Sequence, residues 1–437
     1  MQAIQPILNA VEAPGGRHRP GVSRLDRVVQ INDFSQANGG ATVLALAATE
    51  WLQATGVDVT FVAGDEGVNA QLAALNVDIV RVGGKSLLTG RQLSSAVDGV
   101  YNRDALRILG NWIAQNDTER TVYHVHSWSQ ILSPSIFKAL RAVSGRVVVS
   151  AHDFFWVCPN GAYANYRTNS MCELTPLSAR CIGTNCDRRS YLHKVWRLVR
   201  QKVLREIVDV ANSGIRILAI HDKMVPLLER GGVPKSSIEV LRNPAVPFSA
   251  TRVEAENNRE ILYVGRLDQE KGPDLAAAAT RSLGVTLRMV GDGPLRPSLE
   301  RDHPHVKIEG WRQKHEIAEF AKQARMLIMP SRYPEPFGLV AVEALWSGIP
   351  VVAASDAFLA SEIVSLGVGR SCDPTDTIVL RETLRELFED DLLVAEMSRK
   401  AVDSTTWLAT TPERWTETLT SAYHRLLGAG PLMSHEH

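Results

Sequence analysis

Short runs of aliphatic and β-branched residues alternate along this chain with stretches whose apolar positions recur at a helical period. The runs at 25–31, 57–62, 78–82, 121–125, 146–150 and 215–220 read as strands, and 41–55, 105–114 and 133–143 as helices between them. Strand–helix alternation predicts a parallel sheet with right-handed crossovers. A polar, proline-containing segment at 243–258 interrupts the pattern. It then restarts, with strands expected at 261–264, 285–290, 306–308, 326–329 and 351–353 and a last helix at 412–427. Each half opens with a strand leading to a glycine turn, Asn38-Gly39-Gly40 in the first and Gly265 in the second. The expectation is an α/β protein of two Rossmann-like units, without a sequence repeat. Ligands in such sheets lie outside the carboxyl ends of the strands, and two facing units enclose a cleft.

Length agrees, since 437 residues exceed what one core ordinarily serves. The expected division is a flexible tail over 1–24, a first domain over 25–246, a linker over 247–258, a second domain over 259–405 and a C-terminal helix within 406–437. Hydrophobic content of 45% and charged content of 22% are ordinary for a globular protein. Lys and Arg balance Asp and Glu at 48 each, so no net field draws the chain to nucleic acid. No apolar run approaches the roughly 20 residues that span a bilayer. Residues 1–24 carry Arg17, Arg19 and Arg24 without an apolar stretch, and read as a tail rather than a signal peptide. A cytoplasmic protein is expected.

Chemistry concentrates in the second half. The segment 330–353, PSRYPEPFGLVAVEALWSGIPVVA, sets Glu335 and Glu343 eight positions apart across a loop and a helix start. Gly348 stops that helix. Val340, Ala341, Val342, Ala344 and Leu345 surround Glu343, which points to a buried, paired carboxylate rather than a solvated one. A helix N-terminus offers N–H groups to phosphate, here those of Phe337, Gly338 and Leu339, and a carboxylate before it accepts hydrogen bonds from hydroxyls. Gly338 lets the backbone approach a ligand closely. Phosphate and sugar recognition side by side suggest a sugar nucleotide. Upstream, Arg266 and Lys271 follow the strand that ends in Gly265, and Gly291-Asp292-Gly293-Pro294 follows the next.

These segments, in this order, resemble the E-x7-E and companion motifs of retaining GT-B glycosyltransferases of family 4 (glycosyl transferases group 1). The resemblance covers roughly 25–425, more loosely in the first half. It implies a GT-B fold and hexosyl transfer from a nucleotide sugar to a glycan or lipid-linked acceptor, in bacterial surface polysaccharide synthesis, with no cofactor required for catalysis. It implies that Arg266 and Lys271 stabilise the leaving diphosphate, that Glu335 faces the sugar hydroxyls, and that Glu343 faces the ribose. His152, in SAHDFF, matches the family's histidine near the reaction centre. His126 and Asp153 fall on the acceptor side, and Gly39 and Gly40 lie against the diphosphate or the acceptor. Base contacts are expected from 310–313. Retention by front-face attack is the implied mechanism, because no second carboxylate stands out as a covalent nucleophile. A non-catalytic subunit of the same fold, a nucleotide-sugar epimerase and a phosphorylase are the competing readings. The retained charged residues argue against the first, and chain length and the lack of a recognised pyridoxal lysine against the last.

Two features fall outside the resemblance. Cys158, Cys172, Cys181 and Cys186 cluster after His152 and form a candidate structural zinc site. No C-x2-C pair is present, and reduced, unliganded thiols are the alternative. The segment 188–208 alternates basic and apolar residues at helical spacing. It is expected either to lie on an anionic membrane or to pack on the core with a solvated basic face.

Overall fold

The computed structural model describes residues 25–37, 39–87 and 96–428. The tail over 1–24, Asn38, residues 88–95 and the end of the last segment lie outside the described residues.

The first sheet holds β1 (Arg27–Asn32), β2 (Asp58–Ala63), β3 (Asp78–Arg81), β4 (Thr121–Val125), β5 (Val147–Ala151), β8 (Arg216–Ala219) and β9 (Ile238–Val240). All its pairs are parallel, in the order β3-β2-β1-β4-β5-β8-β9. A small antiparallel hairpin, β6 (Ala164–Asn165) and β7 (Ser170–Met171), sits in the excursion between β5 and β8. The second sheet holds β10 (Glu260–Val264), β11 (Thr286–Val290), β12 (Val306–Gly310), β13 (Ala324–Met329), β14 (Val351–Ala354) and β15 (Gly369–Cys372). Its order, β12-β11-β10-β13-β14-β15, is again all parallel. In both sheets the first strand sits centrally and the order reverses beside it, which opens a crevice at the carboxyl ends. The central strands β4, β5, β13 and β14 are buried along their whole length, as parallel strands covered by helices on both faces require.

Every strand expected from the sequence is present within a residue or two. The short, polar β9 and β15 had no such signal. The helix expected over 133–143 is reduced to Ile136–Ala139 followed by a 3-10 stretch. Ser133, at φ 66°, spends its hydroxyl on the Asn102 N–H, so the chain turns helical late.

Apolar residues of the two halves form one connected buried cluster that includes Phe154, Phe248, Val253, Phe337 and Phe358. The polar segment between the sheets is pinned rather than loose. Phe248 and Ser249 N–H groups donate to Ser347 Oγ (2.8 and 3.2 Å), and Val253 N–H donates to the Ser347 carbonyl (2.8 Å). The last helix, Pro412–Leu426, packs Trp415, Leu419 and Tyr423 onto Leu44, Ala48, Leu52 and the first sheet's Val122 and Val148. Trp415 meets Trp51 edge-on at 5.8 Å. No helix among the described residues is long and apolar enough to cross a membrane.

Candidate active site

The second sheet brings Lys271 and Glu335 together. After β10 the chain makes a 3-10 turn, Gln269–Lys271, capped by Asp268, whose carboxylate accepts the Lys271 N–H (3.1 Å). Gly272 then passes so close to the end of β13 that a Cβ would lie 2.1 Å from the Pro330 carbonyl oxygen, in a left-handed conformation (φ 66°). No other residue fits there, and this approach delivers Lys271 to Glu335. The Lys271 ammonium pairs with Glu335 Oε1, while Ser331 Oγ donates to Glu335 Oε2 (2.6 Å). The three line a cavity of about 20 Å³ with Tyr263, Met329 and Val340. Burial pushes the Glu335 carboxyl up, but Lys271 and Ser331 outweigh it and hold it below its usual value. Burial opposes the Lys271 charge in turn, and Glu335 and Tyr333 raise its pKa nonetheless. Arg266 is not part of this cavity. Its side chain is 59% exposed and pairs with Asp268 (2.9 Å).

Gly338 ends the loop as the N-cap of the helix Leu339–Trp346, at φ 71°. A Cβ there would meet the Met329 sulfur at 2.8 Å, so the structure requires glycine for its backbone angle and its neighbour, in addition to any room needed by a ligand. Phe337 is buried, its ring 6.5 Å from His221 of the first half. Glu343 is buried within the helix, and its Oε1 accepts from Lys314 Nζ (2.8 Å). Burial raises its pKa, with Lys314 working against the rise. In 310–313, Trp311 is 64% exposed and Arg312 lies between Glu309 and Glu316.

In the first half, His152 follows β5 and His126 follows β4. Their rings lie nearly parallel and end to end, centroids 5.5 Å apart, with His126 Nδ1 3.2 Å from His152 Nε2. Burial pulls the His152 pKa to about 4 and that of His126 well below the usual value. Asp153 does not hold His152. Its carboxylate accepts the Phe155 N–H (2.9 Å), and the residue is exposed to solvent. Gly39 (φ 124°) and Gly40 start the helix Gly40–Ala54 and are exposed, with no atom within 4 Å of either position's would-be Cβ. Several contacts set the halves against each other, among them Lys223 Nζ to Ser361 Oγ (2.6 Å). Phe154 meets Phe358 at 6.2 Å, and the Phe358 N–H donates to the Glu335 carbonyl (3.0 Å). Arg188 crosses to Glu270 (2.8 Å).

The four clustered cysteines gather around one small cavity. Cys158, Cys172, Cys181 and Cys186 line a space of about 10 Å³, room for about one water. The buried Lys194 ammonium enters it, 3.1 Å from Cys186 Sγ and 3.6 Å from Cys181 Sγ. Among the described residues no group of three or more His, Cys, Asp or Glu is placed to hold a metal ion. The helix Tyr191–Ile207 also departs from the expected solvated basic face. Lys194 and Arg200 point inward, Arg200 resting on Phe155 (4.6 Å) and Trp196 (5.1 Å) and donating to the Ser129 carbonyl (2.8 Å). Leu192 (77%) and Val199 (49%) are exposed instead. Buried aromatic faces and sulfur atoms hold cations that helical periodicity alone assigns to solvent.

Sequence reading missed Ser331, Tyr333 and Lys314. Ser331 stands four residues before Glu335 and could have been found from that spacing. Lys314 lies on another helix, without a signal linking it to Glu343.

Residues 248–403 match the family model described as "Glycosyl transferases group 1". Glycogen synthase of Mycobacterium tuberculosis (strain CDC 1551 / Oshkosh) is 29% identical over 272 residues, 58% of this chain and 63% of that protein. D-inositol 3-phosphate glycosyltransferase of Corynebacterium diphtheriae is 30% identical over 174 residues, 35% of this chain and 40% of that one. The chain thus spans less than two thirds of these curated relatives. Among solved structures, sucrose-phosphate synthase from Thermosynechococcus elongatus superposes with a TM-score of 0.68 at 16% identity, covering 93% of this chain and 100% of that one. HepE of Anabaena in complex with UDP gives 0.62 at 17%, covering 91% and 99%. The chain therefore has the GT-B fold and carries a glycosyl transferases group 1 domain over 248–403.

Proposed function

We propose that the protein is a retaining glycosyltransferase that moves a hexose from a nucleotide sugar to a glycan or lipid-linked acceptor in the synthesis of a surface polysaccharide. The observation that carries this reading is the Lys271–Glu335 pair in a cavity at the strand ends, within the group 1 domain. Departure of a diphosphate builds charge on phosphate oxygens, and a fixed ammonium in a partly desolvated site stabilises it. On donor binding the phosphates take Lys271, and the sugar hydroxyls take the Glu335 carboxylate in its place. Arg266 swings in from the rim to join Lys271. Glu343, backed by Lys314, accepts from the ribose hydroxyls. The Phe337, Gly338 and Leu339 N–H groups face the phosphates. His152 contacts the transferred sugar, and the departing phosphate takes the acceptor proton. The UDP in HepE supports a nucleoside diphosphate as the leaving group.

The test is transfer from nucleotide hexoses to glycan or lipid-linked acceptors, with the product's anomeric configuration read by NMR. An α-linked donor giving an α-linked product supports the reading. Inversion at that carbon, or epimerised donor without transfer, overturns it.

The exposed Leu192 and Val199, with Tyr191 and Val195 beside them, support a second element of the reading, contact of 188–208 with an anionic membrane carrying the acceptor. Absence of binding to anionic vesicles at low salt removes that element alone.

A further inference from the structure

Behind His152 runs a chain of buried polar groups that reaches the far side of the first domain. His126 Nε2 lies 2.7 Å from Gln30 Oε1. The Gln30 amide nitrogen has no well-formed hydrogen bond, and the group beside it is the Tyr423 hydroxyl. That hydroxyl is 2.6 Å from His124 Nδ1, and His124 Nε2 is 2.8 Å from Ser150 Oγ. Gln30, His124 and Tyr423 are fully buried, and His126 and Ser150 nearly so. The three imidazoles lie in a row, their centroids 4.0 and 5.5 Å apart. Gln30, His124, His126 and Ser150 sit on or beside the adjacent strands β1, β4 and β5, whereas Tyr423 arrives on the last helix, 299 residues from His124.

Donor and acceptor logic gives the chain a direction. An amide oxygen only accepts, so His126 Nε2 carries a hydrogen. Burial keeps these imidazoles neutral, so His126 Nδ1 is a lone pair. The hydrogen shared with His152 then sits on His152 Nε2, which leaves His152 Nδ1 as the acceptor of its ring. A Tyr423 hydroxyl that donates to His124 Nδ1 turns a lone pair toward Gln30, which suits the amide nitrogen and sends the amide oxygen to His126. Turning the Gln30 amide over would reverse every bond in the row together with the tautomer of His152.

We infer that Gln30, His126 and Tyr423 are positioning residues that fix His152 as the Nε2–H tautomer, so that the last helix completes the sugar site by setting which ring nitrogen of His152 accepts a hydrogen bond. The role of His152 toward a sugar rests on the proposed function, while the tautomer does not. A group that accepts at Nδ1 receives a hydroxyl hydrogen from the substrate, and one that donates there requires a sugar oxygen lone pair instead. The two polarities therefore suit different hydroxyl orientations.

The experiment uses the full chain with 15N-labelled histidine, and reads the His152 ring nitrogens by NMR, alongside kcat and KM for a nucleotide-hexose donor. Wild type should show a protonated Nε2 and an unprotonated Nδ1. Tyr423→Phe removes the hydroxyl that orients Gln30. It should mix the two tautomers and lower kcat roughly twofold to tenfold, the worth of one neutral hydrogen bond, with donor KM within about twofold. Gln30→Glu places a carboxylate on His126, favours its doubly protonated form and should push His152 toward the Nδ1–H tautomer. An unchanged His152 tautomer in both folded variants overturns the inference. So does a tautomer that changes in wild-type-like enzymes with kcat intact. A wild type without any transfer, yet with the expected tautomer and its expected shifts, fails the glycosyltransferase reading and leaves the tautomer relay standing.

Discussion

Lys271 and Glu335, 64 residues apart in sequence, hold each other across the ends of two neighbouring strands. Each is the other's counter-charge, and in the proposed function a donor replaces both halves of the pair at once. Phosphate answers the ammonium and sugar hydroxyls answer the carboxylate, which makes the pair selective for a molecule carrying both.

In the proposed function Lys271 is the cation opposite the leaving diphosphate, and Lys271→Ala removes it. Transfer should fall roughly 10²- to 10³-fold, the usual loss when one preorganised stabilising group is deleted, and more in kcat than in donor KM. Circular dichroism checks that the variant is folded. Wild-type kcat in a folded variant would contradict the assignment of Lys271 to phosphate.

Glu343→Gln should weaken nucleotide binding without abolishing turnover. A hydrogen bond to a charged group contributes about 1.5–3 kcal/mol, so the dissociation constant of a nucleoside diphosphate should rise roughly tenfold to a hundredfold. Inorganic pyrophosphate should bind the variant and the wild type alike. Calorimetric titration separates the two ligands, and an equal loss for both would move Glu343 from the ribose to the phosphates.

How much of this arrangement was legible depends on how far apart its parts lie in the chain. Glu335, Gly338 and Glu343 share one loop and helix, so spacing and surrounding apolar residues marked them. Gly272 was not marked, because its need arises from Pro330, just past the end of the neighbouring strand β13. Gln30 and Tyr423 carried no signal at all, being paired only after the last helix crosses the first sheet. Helical periodicity predicted the helix Tyr191–Ile207 and misjudged which face turns inward. Phe155, Trp196 and the thiols that receive Arg200 and Lys194 come from the excursion around it as well as from the helix itself.

Gly338→Ala tests the helix start. A left-handed angle in an L-residue costs about 1–2 kcal/mol, and the new Cβ meets Met329. Chemical denaturation should show a loss of about 1–3 kcal/mol, and nucleotide binding should weaken along with it. A variant as stable as wild type would mean that the backbone relaxes to another angle.

Acid should destabilise the protein before the carboxylates titrate. Burial pulls His124 to about 3 and His152 to about 4, and burial with Arg242 nearby pulls His221 to about 4, against an ordinary value near 6.5. The unfolded chain therefore takes up protons first as the pH falls, which favours unfolding. Their contribution is fully present above about pH 6.5 and is lost progressively toward the folded values near 4 and 3. The melting temperature should fall steadily between pH 7 and pH 5. A flat profile over that window would contradict the buried, neutral state of these rings.

The most direct measurement of the central claim is the melting temperature of the wild type, Lys271→Ala and Glu335→Ala in the presence of UDP-, GDP-, ADP- and dTDP-hexoses. A ligand that binds only the folded state raises it. The account predicts a rise with one nucleotide class in the wild type and a much smaller rise in both variants. No rise with any donor, or an equal rise in all three proteins, would contradict it.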